Sequence, residues 1–241
     1  IGGLLPVVYF FRKNDSLLHF VKPVFDRRVF LKTCTNGSSE LMTNLSMSLV
    51  NALYNLQLMK IAGENGVAAY GAVMYVNFIF VATFLGYAIG CAPVISYHYG
   101  AGNHAELKNL YKKSMSIILV WGVILFGAAQ LLAPVLSKIF VGYNTGLYAM
   151  TLHGFRVYAI AFLIIGINIF GSSFFTALNN GLISAVISFL RTLMFQVIMV
   201  LTLPLWFGIN GIWSAISVAE ALTLIMTTTF FVRQKDKYHY L

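Results

Sequence analysis

Six apolar runs long enough to cross a bilayer, near residues 36–59, 67–97, 114–138, 155–177, 184–206 and 210–232, set the pattern of this chain. Clusters of turn-forming residues separate them. Gly63-Glu64-Asn65-Gly66, Tyr143-Asn144-Thr145-Gly146 and Phe207-Gly208-Ile209-Asn210-Gly211 fall on one side, and Asn179-Asn180-Gly181 on the other. Backbone amides must be satisfied within hydrocarbon, and these runs lack the strict alternation over about ten residues that a barrel strand shows, so each predicts a helix. Pro93, Pro134 and Pro204 lie towards the ends of their runs, where a missing amide donor costs least. Ahead of the first full run, residues 1–11 form an apolar stretch of about half a span. It predicts the end of a truncated transmembrane helix, and the chain as a fragment of a longer protein. Residues 12–35 are basic and polar and predict a linker, residues 36–232 a six-helix transmembrane lobe, and residues 233–241 a charged tail.

Composition agrees with an all-α membrane protein. Hydrophobic residues make up 59% of the chain and charged residues 10%, well below the quarter usual for soluble domains, and the mean hydropathy is +0.80. The formal charge is +9, from 16 Lys and Arg against 7 Asp and Glu. Those basic residues sit in short segments between apolar runs, which argues against a nucleic-acid surface and for membrane topology. With six spans, 13 of the 16 fall on the side of the linker and tail, and only Lys60, Lys138 and Arg156 on the other. That bias puts linker and tail in the cytoplasm and the lobe in the lipid of the inner or plasma membrane.

The candidate chemistry is sparse. In the first full span Glu40, Asn44, Ser48, Asn51 and Asn55 recur at helical spacing within an arc of about 80°. Leu41, Leu45, Leu49 and Leu56 occupy the opposite face. A polar stripe on a spanning helix faces other helices or water, so interhelical hydrogen bonding and cavity lining are both open. A carboxylate needs a partner or a proton in such a place, which marks Glu40 and the more deeply set Glu220 as candidate sites. Glu40 also fits a first-turn acid at a helix N-terminus. Arg191, near an end of the fifth run, is the one basic residue that lies inside a span rather than at its edge.

Other features read as structural. Gly100-Ala101-Gly102-Asn103-His104-Ala105 has the form of a dinucleotide fingerprint but lacks the preceding short strand and the following acid, so it predicts a loop. Gly86 and Gly90 offer a small-residue surface for helix packing. His153 and His239 stand isolated in the sequence, and Cys34 and Cys91 have no ligand spacing. With no metal cluster, nucleophile–base pair or phosphate loop, neither enzyme activity nor a cofactor is expected.

Several stretches together resemble one transporter family. Pro93-Val-Ile-Ser-Tyr-His-Tyr-Gly-Ala-Gly-Asn103 is similar to the segment closing a spanning helix in the multidrug and toxic compound extrusion (MATE) family. Ala62–Gly71, Phe175–Gly181 with Leu190-Arg191, and Gly208–Trp213 with Val218-Ala-Glu220 fit the same pattern, and Asn36-Gly-Ser-Ser-Glu-Leu41 resembles the MepA-type branch. The resemblance implies one six-helix lobe, the carboxy-terminal one, of a twelve-helix pseudo-symmetric transporter whose partner is the amino-terminal lobe. It implies efflux of small amphipathic, often cationic compounds by alternating access, coupled to Na⁺ or H⁺. Many relatives carry cation-site carboxylates deep in the seventh and tenth helices, where this chain has Met47, Gly166 and Asn168. Glu40 lies too early for that role, whereas Glu220 sits where relatives often have an acid after a small residue. Export of an endogenous metabolite or a lipid-linked precursor, and a non-transporting membrane scaffold, are the alternatives.

Overall fold

The structure, a computed structural model, describes residues 4–11 and 25–240, apart from the side chains of residues 4–7, 39, 40 and 42. Two compact units divide the chain, Ile1–Thr33 and Cys34–Leu241. In the first lie α1 (Leu4–Phe11) and the opening of α2 (Arg27–Gly100). Helix α2 therefore begins nine residues ahead of the expected 36. The cause is local: the Asp26 carboxylate accepts hydrogen bonds from the Arg28 and Val29 amides at 2.7 and 3.3 Å, an N-cap that draws the end of the basic linker into the helix.

The remaining elements are α3 (His104–Val141), α4 (Thr145–Ala159), α5 (Phe162–Ala177), α6 (Gly181–Phe189), a π-helical turn (Leu190–Met194), α7 (Phe195–Phe207) and α8 (Ile209–Tyr238). Among the described residues there is no strand. The 74 residues of α2 make two crossings, not one, because Gly63 breaks the helix with φ 63° and ψ −154°. Only glycine takes that conformation readily, and any side chain there would cost about 1–3 kcal/mol. The chain doubles back at this point: the Tyr54 and Tyr70 rings stack 5.1 Å apart, and the Tyr70 hydroxyl donates to Asn51 Oδ1 at 3.0 Å. In a straight helix sixteen residues would separate those rings by about 24 Å.

Counted this way the described residues make six crossings: the two arms of α2, α3, the pair α4–α5, the continuous helix from Gly181 to Phe207, and α8. Asparagine side chains start three of these helices. Asn103 accepts from the Glu106 amide, Asn144 from Leu147 and Asn180 from Ile183. The segment shaped like a dinucleotide fingerprint is thus a helix end, a left-handed Gly102 (φ 67°) and a cap. The fourth crossing differs from the expected 155–177. It starts at Thr145, and α4 and α5 are bent by 48°. Its first turns carry Thr151, His153 and Arg156, polar enough to hide them from a search for apolar runs. At the bend the Ile160 and Ala161 amides bond to the carbonyls of Val157 and Tyr158, three residues back.

Two clusters of ends follow from this threading. At one end the Tyr238 hydroxyl accepts from Asn180 Nδ2 at 3.0 Å, the His104 and His239 rings meet at 4.9 Å, and Gly181 packs on the backbone of Thr35 and Asn36. At the other, His153 Nε2 and Asn210 Oδ1 lie 2.8 Å apart. Neither His153 nor His239 is therefore isolated; helix termini distant in sequence meet at these ends. The tail folds back on a left-handed His239, and the buried Tyr240 donates its hydroxyl to the Phe231 carbonyl at 2.8 Å. Gly86 and Gly90, expected to pack against a helix, have no atom within 4 Å of a built Cβ and face out of the lobe.

A core of Phe162, Phe170, Phe174, Phe175, Leu58 and Trp213 fills the lobe. Large hydrophobic side chains such as Phe78, Ile89, Leu131 and Leu205 cover its outside, as hydrocarbon-facing surfaces require.

Candidate functional site

Within this apolar lobe α5, the π turn and α8 bring three polar side chains together. Glu220 on α8 is 1% exposed. Its Oε1 accepts from Arg191 Nε at 2.9 Å, and its Oε2 accepts from Asn168 Nδ2 at 2.7 Å. Asn168, fully buried, also donates to the Glu220 backbone carbonyl at 2.9 Å. Arg191 and Glu220 form the one ion pair among the described residues. An ionised carboxylate in hydrocarbon is tolerable only with such a partner, and here the guanidinium supplies the compensating charge.

Local structure puts each group in place. Ser172 and Thr176 on α5 lock to Ser184 and Ser188 on α6 through hydroxyl contacts of 2.6–2.9 Å, fixing the register of the two helices. Such bonds between spanning helices are individually modest, but they fix the depth of Arg191 relative to Asn168. Arg191 itself lies in the π turn, where the Phe195 amide reaches back five residues to the Leu190 carbonyl. π turns of this kind are concentrated at functional sites. On α8, Gly154 of α4 and Gly171 of α5 allow close approach, since a Cβ at either would lie 2.5 Å from Trp213 or Thr227.

Two arms of α2 and α4 complete the surroundings. Tyr54 and Tyr158 lie within electrostatic range of Glu220, and Tyr158 also of Arg191 and Tyr70. Asn168 Oδ1 and the Tyr54 hydroxyl are buried and have no hydrogen-bond partner among the described residues. The site thus has one carboxylate, one tethered cation and an uncommitted amide oxygen on Asn168, with the buried, unpartnered Tyr54 hydroxyl on a neighbouring helix.

The other expected residues lie elsewhere. Asn44, Ser48, Asn51 and Asn55 are exposed on the first arm of α2, whose buried face is Ser46, Val50, Tyr54 and Leu58. The stripe flanks that face, while Leu41, Leu45, Leu49 and Leu56 point directly away from it. Within the stripe, Asn51 takes the Tyr70 hydroxyl. Glu40 lies on α2, and its side chain is outside the described residues. Arg191 and Asn168 escaped sequence reasoning as members of one site. The available signal was depth: counted from the Gly208 turn, Arg191 lies 17 and Glu220 12 residues away on neighbouring helices, about 7 Å apart in depth and within an arginine's reach. Among the described residues there is no cluster of three metal-ligating side chains.

The MatE family model matches residues 41–202, two thirds of the chain. The chain belongs to the MATE family. No curated protein matches. The MATE lobe superposes on a crystal structure of MATE in complex with MaL6 with a TM-score of 0.88 at 19% identity, covering 99% of this chain and 54% of that one. An outward-facing MATE transporter of the MOP superfamily gives a TM-score of 0.86 at 20% identity, with 98% and 53% covered. A MOP superfamily transporter from Pyrococcus furiosus, whose binding pocket has reversed polarity, gives 0.87 at 19%, with 98% and 54% covered. The chain therefore spans about half the length of these structures and has the fold of one transporter lobe. It is a multi-pass membrane protein of a transporter family.

Proposed function

We propose that this chain is the carboxy-terminal lobe of a secondary active exporter that moves small amphipathic, often cationic compounds by alternating access. The observation that carries the reading is the buried Glu220, held between Arg191 and Asn168 at the junction of three spanning elements. A carboxylate that must always be neutralised responds to cation entry from one side and cation loss to the other, which is what coupling to Na⁺ or H⁺ requires. The exposed polar flank of α2, with Asn44, Ser48, Asn51 and Asn55, lines the cavity against the amino-terminal lobe, and Glu40 stands at its cytoplasmic mouth. Linker and tail are cytoplasmic, a placement supported by the concentration of Lys and Arg at the end where Gly181, His104 and His239 gather.

Glu220→Gln in the full-length transporter is expected to lower resistance to cationic dyes several-fold at equal expression, and Glu40→Gln to lower it less. Minimum inhibitory concentrations beside surface-expression blots check this. Wild-type resistance from both variants would remove the site assignment.

A further inference from the structure

Resting on the transport reading of Glu220, we propose that Arg191 is a built-in counter-cation that occupies Glu220 when the coupling ion is absent and competes with it for the carboxylate. Arg191 touches Glu220 through Nε alone. Neither terminal guanidinium nitrogen donates a hydrogen bond to any described residue, so the two-pronged contact that makes arginine pairs rigid is unused. Arg191 keeps 15% of its side-chain surface exposed, against 1% for its partner, so it is the less enclosed member of the pair. It is mounted on the π turn, where the regular bonding of the fifth crossing is already interrupted and a change of twist breaks fewest bonds.

An uncommitted oxygen beside the carboxylate completes the case. Asn168 Oδ1 and the Tyr54 hydroxyl are buried without partners, while Asn168 Nδ2 holds Glu220 from the other side. The guanidinium on Oε1 leaves the Asn168 oxygen beside the carboxylate unbonded, an oxygen that a small cation seated on Glu220 could take. One carboxylate in hydrocarbon neutralises one charge, so arginine and ion exclude each other. The ion is then bound only at the expense of the guanidinium, and the returning guanidinium ejects it. Arg191 is in this sense a positioning residue that weakens ion binding and speeds ion release.

The test is ion-driven transport by the full-length protein in proteoliposomes, with rate measured against Na⁺ concentration and against pH. Arg191→Gln is expected to lower the ion concentration for half-maximal rate about tenfold or more, the effect of removing an adjacent like charge, and to lower the maximal rate because release slows. Arg191→Lys, which keeps the competing charge, is expected to stay near wild type in both. Asn168→Asp sets a second carboxylate beside Glu220, so the guanidinium neutralises one of the two and the remaining negative charge is left for the ion. It is expected to lower the half-maximal concentration as well, and it serves if Arg191→Gln fails to fold. An unchanged or raised half-maximal concentration in Arg191→Gln or Asn168→Asp would overturn the proposal. Glu220→Gln separates the two readings. If it retains wild-type ion dependence, the coupling role of Glu220 fails. If it loses that dependence while Arg191→Gln behaves as wild type, only the counter-cation role fails.

Discussion

Neutralising Arg191 and Glu220 together is expected to destabilise the lobe far less than neutralising Glu220 alone. Glu220→Gln leaves a guanidinium at its mostly buried position with no opposite charge, and arginine does not lose its proton. Breaking a buried pair from one side in this way costs about 3–5 kcal/mol. Arg191→Met leaves a carboxylate that can take a proton from the aqueous phase and keep its Asn168 bond, so about 1–3 kcal/mol is expected. The double variant Arg191→Met with Glu220→Gln leaves no charge behind and keeps the amide–carbonyl contact available to Asn168, so its loss falls to about 1 kcal/mol. Thermal unfolding of the detergent-solubilised full-length protein, read as a double-mutant cycle, checks the order. Additive losses would mean that the two groups do not sense each other.

The second large effect is steric. Gly181→Ala builds a methyl 2.6 Å from both the Asn36 Cα and the Thr35 carbonyl oxygen, and both obstacles are backbone. Neither can rotate away as a side chain would, so α2 and α6 must separate at the end of the lobe where Asn36 Nδ2 also donates to the Thr176 carbonyl. Overpacking of this kind costs about 1–3 kcal/mol, and the rigid obstacle argues for the upper part of that range. Gly86→Ala, with open space around its Cβ, is the matched control and should be neutral within about 0.5 kcal/mol. Melting temperatures of the two variants decide the matter; equal values would show that the α2–α6 contact is looser than 2.6 Å implies.

Turn chemistry explains why so much of the fold could be read from residues. Asn103, Asn144 and Asn180 cap helices at the predicted breaks, and Gly63 and Gly208 take positive φ in two of the turns. Apolar length then gave the crossings between them. What escaped was of a different kind. The start of α4 is masked by Thr151, His153 and Arg156, and the α4–α5 bend at residues 160–161 contains neither glycine nor proline. The π turn leaves no mark in composition, since Leu190–Met194 is no more unusual than any stretch of its helix. The Glu220 site depends on contacts 29 and 52 residues apart in sequence, and on a register fixed by the Ser172, Thr176, Ser184 and Ser188 hydroxyls. A single acid could be flagged from its position in a span, but its partners required the packing of three helices. The polar stripe of α2 lies on an exposed flank of the lobe, which only the packing reveals, because Ser46, Val50, Tyr54 and Leu58 form the buried side.

The central claim is that Glu220 couples ion entry to export, and dye efflux from proteoliposomes holding the full-length protein tests it most directly. An imposed Na⁺ or H⁺ gradient should accelerate efflux by the wild-type protein, and should have no effect on Glu220→Gln even though that variant still binds the dye. Gradient-accelerated efflux at the wild-type rate from Glu220→Gln would contradict the account.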